Sequence, residues 1–127
     1  MGQFLNLTHH PSTTWNASQL QAAQAIAPGT ITDMMFPDVD PALDEAAVRG
    51  IGLSLLSQIV ALGPHAALVQ GEPVLTFFLV NELERLGIAC YAASTKRQVV
   101  ESSTLDGHDQ KLSIFDFVRF RRYALAL

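Results

Sequence analysis

The chain has 127 residues, of which 49% are hydrophobic and 16% are charged, and its net charge is −4. This length predicts a single domain that spans residues 1–127. The apolar content excludes an intrinsically disordered chain, and the acidic balance excludes a general binder of long nucleic acids. The low share of charged residues also predicts that a partner chain covers part of the surface.

The charge is unevenly distributed along the chain. Residues 1–95 carry eight acidic and two basic residues, whereas residues 96–127 carry four acidic and six basic ones. We therefore expect an anionic ligand to bind at the last quarter of the chain, or where that quarter folds back onto the rest.

The single cysteine, Cys90, excludes an internal disulfide, and its apolar surroundings in the sequence predict a buried thiol. The N-terminal sequence lacks the pattern of a signal peptide, and no run of about 18 uninterrupted apolar residues indicates a membrane span. We expect a cytoplasmic protein that does not bind membranes.

Short apolar runs alternate with amphipathic stretches over the first three quarters of the chain. The apolar runs predict four strands, at residues 4–7, 30–36, 65–70 and 88–93. The amphipathic stretches predict three helices, which begin at Ser18, Asp44 and Pro73 and end at Pro28, Gly63 and Gly87. Three successive strand–helix–strand units predict an α/β fold: a small Rossmann-like parallel sheet with helices on both faces.

Spacings of three and four residues predict which helix positions face the core. They select Leu20, Ala23 and Ala27 in the first helix, Val48, Ile51, Leu55, Ile59 and Leu62 in the second, and Leu75, Phe78, Leu79, Leu83 and Leu86 in the third. Glycines within the second helix, at positions 50 and 52, predict close packing against a neighbouring element.

A different pattern begins after Thr95. Two long strand-like stretches, at residues 98–104 and 112–121, flank an Asp-Gly turn signal at positions 106 and 107. They predict a C-terminal β-hairpin over residues 97–122. In its second strand, a period of two places four side chains on one partly buried face: Phe115, Phe117, Arg119 and Arg121.

Ligands of open parallel sheets bind beyond the carboxyl ends of the strands, near the point where the strand order reverses. Polar residues cluster at the end of the first predicted strand and in the loop that follows it. Histidine suits general acid–base catalysis, and tryptophan can stack on a base; the alternative is a helix-capping loop whose tryptophan packs on the core. Adjacent histidines rarely reach one ion, so we expect no metal. The candidates in this segment are Asn6, Thr8, His9, His10, Ser12, Thr13 and Trp15.

The second candidate segment follows the third predicted strand and contains Gln70, Gly71, Glu72 and Thr76. Glycine lets a backbone approach a ligand closely, and a carboxylate can accept hydrogen bonds from a ribose hydroxyl or an adenine amino group. The alternative is that Glu72 is a helix-start carboxylate that interacts with the helix dipole. The glycine pattern matches neither a dinucleotide-binding motif nor a P-loop.

The third candidate segment, Ser94-Thr95-Lys96-Arg97, follows the fourth predicted strand. Two hydroxyls and two cations at a strand end are typical of a phosphate-binding site, and the alternative is a basic loop that leads into the hairpin.

The remaining cations and histidines are assigned structural positions. We expect Arg119, Arg121 and Arg122 to pair with acidic residues of the chain, with a second phosphate contact as the alternative. We expect His65 to pack at a strand edge and His108 to be exposed in the hairpin turn.

Together, these segments resemble a known group of proteins. Residues 6–12 with Trp15, then Gln70-Gly71-Glu72 with Thr76, then residues 93–97, and finally residues 117–121 are similar to small CRISPR-associated Rossmann-like proteins found near type III systems. These proteins are similar to CARF-type domains, which bind cyclic oligoadenylates, and several of them act as ring nucleases.

The resemblance implies a homodimer that holds a cyclic oligoadenylate across its two-fold axis and cleaves it without a metal or another cofactor. A ribose 2′-hydroxyl would attack the adjacent phosphate, with His9 or His10 as acid or base and Lys96 and Arg97 on the phosphate. The remaining candidates, among them Ser12, Gln70, Glu72 and Thr76, would contact ribose or base. Two alternatives stay open: a non-catalytic sensor or sponge for the same ligand, and a small nucleotide-processing enzyme unrelated to CRISPR.

Overall fold

A computed structural model describes residues 2–103, 107 and 109–124. The five strands are β1 (Phe4–Thr8), β2 (Ile31–Met35), β3 (Ala66–Val69), β4 (Ala89–Ser103) and β5 (Asp109–Arg122). The three helices are α1 (Ala17–Ile26), α2 (Glu45–Leu62) and α3 (Pro73–Arg85), and a short 3-10 turn, Ser12–Thr14, precedes α1.

All five strands form one sheet in the order β2-β1-β3-β4-β5. The first four strands are parallel, and β5 runs antiparallel to β4 at the edge. The chain passes from β1 to β2 on one side and then crosses over β1 to reach β3, so the strand order reverses between β1 and β3. The predicted α/β class is confirmed.

Helices cover both faces of the sheet because the central strands are apolar on both sides. On one face, Leu5 and Leu7 of β1 pack with α2 and α3 in the larger core cluster. On the other face, Phe4 packs with Ala23 and Ala27 of α1. Helices on both faces were predicted, and the structure confirms them.

The helices begin and end at capping residues. Asn16 caps α1 by accepting a hydrogen bond from the backbone N–H of Gln19 at 2.9 Å, so the predicted start at Ser18 is wrong by two residues. The predicted start of α2 at Asp44 is confirmed, with Asp44 as the N-cap residue and Glu45 in the first turn, and Gly63 ends the helix with a positive φ of 62°. The sequence signal for α1 favoured Ser18 because Gln21 completes a capping box with it, but Asn16 is an equally strong N-cap residue.

The α2 helix packs closely on α3 through one of its two glycines. A Cβ atom at position 52 would lie 2.4 Å from Cδ2 of Phe78, whereas a Cβ atom at position 50 would meet nothing within 4 Å. The close packing predicted for Gly52 is therefore confirmed, and that for Gly50 is wrong. Most of the predicted core positions are buried or half-buried; the exceptions, at the ends of the stripes, are exposed: Leu20, Leu62 and Leu86.

By length and composition alone, α2 could cross a membrane, with a mean hydropathy of 1.3 over 18 residues. It nevertheless connects β2 to β3 of one sheet and contributes Val48 and Ile59 to the core. This position favours a helix of a soluble α/β domain.

The fourth strand differs from its prediction. Its predicted end was Ala93, with residues 94–97 beyond the strand, but β4 continues without interruption from Ala89 to Ser103. Its pairing with β5 begins at Tyr91 opposite Arg122, so the hairpin starts within the sheet rather than at residue 97. The polar residues of this segment misled the prediction because an edge hairpin tolerates polar side chains on its exposed sides. The predicted turn at residues 105–110 lies largely outside the described residues, although Gly107 has the positive φ of 85° that such a turn requires.

A β-bulge in β5 overturns the predicted face of that strand. Ser94 pairs with Arg119 but Thr95 pairs with Phe117, so Val118 is an extra residue. The bulge turns Phe117 to the same side as Phe120, and their ring centroids are 4.8 Å apart. Phe117 and Arg119 therefore do not share a face.

The thiol of Cys90 is buried, as predicted. Its Sγ lies 3.6 Å from the carbonyl oxygen of Ile88, and burial, together with the nearby Glu84 carboxylate, raises the pKa of the thiol to about 12. A thiol that keeps its proton is a poor nucleophile, so Cys90 is a core residue and not a candidate for catalysis.

Candidate functional site

A crevice of about 440 Å³ opens at the carboxyl ends of β1 and β3 and beside residues 93–95 within β4. It lies at the point where the strand order reverses, which is the usual ligand position in open α/β sheets. Its lining combines hydroxyl, amide, imidazole and aromatic groups: Thr8, His10, Thr14, Trp15, Gln19, Leu68, Gln70, Ala93, Thr95 and Phe115. We refer to these residues as the crevice.

The loop that follows β1 is held by Asn6 and Thr8. The buried amide of Asn6 donates to the carbonyl oxygen of His10 at 2.8 Å, and its Oδ1 lies 2.9 Å from the hydroxyl of Thr8. That hydroxyl also accepts a hydrogen bond from the backbone N–H of His10 at 3.1 Å. Asn6 is thus occupied in positioning the histidine loop, and Thr8 both positions the loop and lines the crevice.

The sequence analysis missed Asp33, which completes this network from β2. One carboxylate oxygen accepts from the amide of Asn6 at 2.9 Å and from the backbone N–H of Ser12 at 3.0 Å. The other accepts from the hydroxyl of Ser12 at 2.9 Å. A carboxylate within a strand-forming run is an unusual choice, and this was the available signal. Ser12 is thereby directed to Asp33 and does not line the crevice.

The two histidines point to different surroundings. His10 lines the crevice, whereas the ring of His9 lies 5.6 Å from the ring of Phe36, which belongs to the core on the α2 and α3 face. Both side chains are exposed. Of these two histidines, His10 is therefore the one that can reach a ligand in the crevice. In the following turn it is Thr14 that lines the crevice, while the predicted Thr13 is exposed outside it.

The indole of Trp15 is half-buried between the crevice and the core. Its ring centroid lies 6.2 Å from that of Phe4 and 6.1 Å from that of Phe120. Core packing and stacking on a ligand were alternatives for this residue, and the structure shows the packing while leaving the indole on the crevice wall.

Gln70 links β3 to β4 beyond the last paired residues of these strands. Its side-chain oxygen accepts from the backbone N–H of Ala93 at 3.1 Å, and its own backbone N–H donates to Leu7 at 3.1 Å. Because the oxygen is engaged, the amide nitrogen is the group that Gln70 can offer to a ligand.

Glu72 and Gly71 have structural tasks. The Glu72 carboxylate caps α3, accepting from the backbone N–H groups of Val74 at 3.0 Å and Leu75 at 2.7 Å. A Cβ atom at position 71 would lie 2.3 Å from Cδ1 of Phe36, so glycine is required there by a core ring. The helix-start alternative for Glu72 is the one that the structure shows.

A second cavity, of about 370 Å³, lies beside the first half of α3. We refer to it as the α3 pocket. It shares Gln70 with the crevice and is otherwise lined by Gly71, Pro73, Thr76, Phe77, Val80 and Tyr123. The predicted site residue Thr76 is therefore found here and not in the crevice, and Tyr123 was not foreseen by the sequence analysis.

The segment Ser94-Thr95-Lys96-Arg97 lies within β4, so its side chains alternate between the two faces of the sheet. Thr95 lines the crevice, and Arg97, which pairs with the crevice residue Phe115, is on the same face. Ser94 and Lys96 are on the opposite face. One chain therefore does not direct both cations of this segment at the same ligand.

The three arginines of β5, Arg119, Arg121 and Arg122, are exposed. Arg122 forms an ion pair of 2.7 Å with Glu84 of α3 and lies 5.9 Å from the ring centroid of Tyr91. This confirms the predicted pairing for Arg122. Arg119 and Arg121 pair in register with Ser94 and Ala92, on the face opposite the crevice.

The other two histidines, His65 and His108, are not among the described lining residues of the crevice. His65 is exposed next to the amino end of β3, and the crevice lies at the opposite, carboxyl end of that strand. His108 lies outside the described residues. In the part of the chain that the structure describes, no three His, Cys, Asp or Glu side chains are close enough to hold a metal ion.

Comparison with known proteins adds a family assignment. A search of curated proteins finds no match for this chain. The profile described as "Uncharacterized protein MJ1673 family" matches residues 2–121. This range includes all the helices, all the strands except the last residue of β5, and every lining residue of the crevice and the α3 pocket except Tyr123. The chain therefore belongs to the MJ1673 family of uncharacterized proteins.

Proposed function

We propose that the crevice binds a cyclic oligoadenylate and that the protein acts as a ring nuclease, cleaving this ligand without a metal. One observation carries the proposal. Residues singled out in three separate segments of the sequence, among them His10, Trp15, Gln70 and Thr95, line one cavity at the reversal of the strand order. The resemblance to small type III CRISPR-associated proteins supplies the ligand class.

The crevice offers the groups that a nucleotide needs. Trp15 provides an aromatic surface for a base, and base–aromatic stacking contributes about 1–3 kcal/mol per base. Thr8, Thr95 and the amide nitrogen of Gln70 can bond to ribose and phosphate oxygens. Arg97, on the crevice face of β4, is the cation best placed to approach a phosphate.

Cleavage requires one proton to be removed and another to be supplied. The ribose 2′-oxygen bonds to the adjacent phosphorus, the bond from phosphorus to the 5′-oxygen breaks, and the products are a 2′,3′-cyclic phosphate end and a 5′-hydroxyl end. A base accepts the 2′-hydroxyl proton and an acid protonates the leaving oxygen. Among the described lining residues His10 is the one titratable side chain, so it is our candidate for this chemistry.

A homodimer would complete this machinery. A cyclic ligand of repeated units is itself symmetric, and a two-fold axis through it would bring two copies of His10 to one ligand, one as base and one as acid. The exposed apolar side chain of Phe115, which lines the crevice, supports a covered surface of this kind. We place this activity in the cytoplasm.

The test is incubation with cyclic tetra- and hexa-adenylate in EDTA, followed by separation of the products. We expect linear products with cyclic phosphate ends from the wild type, and their loss in His10→Ala. The matched control is His9→Ala, which removes the neighbouring imidazole from its place beside Phe36 and should keep the activity. Intact ligand after long incubation refutes the nuclease.

Binding is followed separately through the single tryptophan of the chain. Because Trp15 lines the crevice, a bound base should change its fluorescence, and the signal should follow the concentration of either cyclic ligand. An unchanged signal together with no measurable binding refutes the ligand class. Activity on linear RNA or mononucleotides alone would instead identify a different nucleotide-processing enzyme.

A non-catalytic sponge or sensor is the second candidate, and one observation favours it. The described lining of the crevice has one imidazole and no carboxylate, so a single chain lacks an acid–base pair. A sponge would remove free ligand in proportion to protein and release it intact on denaturation, whereas a nuclease would turn over many equivalents.

A further inference from the structure

The α3 pocket contains a buried polar group that the fold leaves unsatisfied. Thr76 is 8% exposed, and its hydroxyl oxygen has no hydrogen-bond partner among the described residues. The backbone N–H of the same residue donates to Glu72 at 2.9 Å, so the helix itself is intact at this point. A buried hydroxyl without a partner is unfavourable, and a ligand that bonds to it would remove this penalty.

The geometry of threonine allows the hydroxyl to reach a ligand. In a helix, the threonine side chain divides its population between two rotamers, because either one keeps the methyl group clear of the preceding turn. Since Thr76 lines the cavity, rotation about its Cα–Cβ bond changes which branch of the side chain faces the cavity and can direct the hydroxyl at a bound molecule.

The charge around the pocket favours an uncharged ligand. The free N–H groups at the start of α3 would attract an anion, but the Glu72 carboxylate already accepts from them. The hydroxyl of Tyr123 donates to the carbonyl oxygen of Val69 at 2.6 Å, which holds its ring in the wall, and burial raises the pKa of this phenol. The described lining of the pocket contains no cationic side chain that could pair with an anion.

The shape and the walls favour a flat ligand. Phe77 is 72% exposed at the rim, although phenylalanine is normally buried, and a flat ring can stack on its free face. The volume of about 370 Å³ is within the range of small-molecule sites. Gln70 lines both cavities, so a ligand can extend from one into the other.

We propose that the α3 pocket binds an uncharged, planar nitrogen heterocycle of nucleobase size, stacked on Phe77 and hydrogen-bonded to Thr76. The identification of this ring as an adenine of the ligand in the crevice rests on the proposed function. The pocket then selects one base of the ligand, while Trp15 stacks on another.

The probe is adenosine, which is uncharged and carries no phosphate. We expect it to shift the amide resonances of Thr76 and Phe77 in an NMR titration of the full chain. Thr76→Val replaces the hydroxyl by a methyl group of similar size, so affinity should fall about tenfold for the loss of one hydrogen bond. The free variant should melt no lower than the wild type, because it also loses an unsatisfied buried group.

Three further variants make the result decisive. Thr76→Ser keeps the hydroxyl and should keep most of the affinity, and Phe77→Ala should weaken binding without unfolding a protein whose Phe77 is already exposed. Thr30→Val, at an exposed position before β2, is the matched control and should bind as the wild type does.

Adenosine that does not bind, or that binds Thr76→Val and Phe77→Ala as tightly as the wild type, overturns the inference. The proposed function fails in a different way. Adenosine would bind with the expected dependence on Thr76, while cyclic tetra-adenylate would leave the Trp15 fluorescence unchanged.

Discussion

Gly71 provides a sharp test of whether a glycine beside a candidate site serves the fold or the ligand. A Cβ atom at this position would lie 2.3 Å from Cδ1 and 2.4 Å from Cε1 of Phe36, which is closer than real side chains approach each other. The Phe36 ring is 1% exposed and belongs to the core cluster, so it cannot turn into solvent. The substitution Gly71→Ala must therefore displace a packed ring.

The expected cost follows from two opposing terms. Overpacking of a core costs about 1–3 kcal/mol. Alanine also restricts the unfolded chain, which stabilises by about 0.4–1 kcal/mol where φ is not positive, and φ at position 71 is not positive. The free energy of unfolding should fall by about 1–2 kcal/mol, which lowers the Tm by roughly 4–8 °C for a domain of this size.

The assay is thermal and urea unfolding followed by circular dichroism, with Gly50→Ala as the matched control. Position 50 lies within α2, and an added Cβ atom meets nothing within 4 Å, so this variant should gain about 0.5–1 kcal/mol. Replacing Phe36 by leucine as well should reduce the cost of Gly71→Ala, since the clashing ring atoms are gone. A Gly71→Ala protein that is as stable as Gly50→Ala but fails to bind ligand would refute the steric reasoning and assign the glycine to the site.

Three other substitutions test the framework around the crevice. Glu72→Ala removes the cap of α3 and should lower the free energy of unfolding in urea by about 1 kcal/mol, and an unchanged midpoint would contradict the capping role. Asp33→Ala leaves the amide of Asn6 and the hydroxyl of Ser12 without their acceptor, so we expect a loss of about 1–2 kcal/mol and shifted histidine resonances in NMR spectra. The folded state holds the Cys90 proton from pH 9.0 up to about 12, whereas the unfolded chain releases it. Stability should therefore fall as the pH rises through this range, and Cys90→Ala should make this fall shallower, while Tyr123, whose pKa is also raised, keeps part of it.

The part of the fold that the sequence predicts well is the part built from short-range patterns. Continuous apolar runs bounded by turn residues predicted β1 to β3, and a spacing of three and four residues predicted α2 and α3. Acidic residues at Asp44 and Glu45 predicted where α2 begins and Gly63 predicted where it ends, since these residues act within a single turn of chain. These features depend on neighbours in sequence, which a single sequence displays.

The features that the sequence analysis missed depend on partners distant in the chain. No sequence pattern near Val118 indicates a bulge, because Val118 is an extra residue only in relation to its pairing with β4. The structural role of Asp33 likewise depends on distant partners: Asn6, directly opposite it in the neighbouring strand, and the turn at Ser12. Pairing in register brought these groups together, and composition alone carries no record of that pairing.

The strand positions also change the interpretation of the basic C-terminal quarter, because most of its described cations do not face the crevice. Arg122 is paired with Glu84, and Lys96, Arg119 and Arg121 are on the sheet face opposite the crevice. Of the C-terminal cations whose side chains the structure describes, Arg97 is the one assigned by strand alternation to the crevice face. A ligand in the crevice would therefore meet mainly hydroxyl, amide and aromatic groups, and such groups distinguish one nucleotide from another more sharply than a cluster of cations does. The excess of basic residues after position 95 therefore does not make the described lining of the crevice strongly positive.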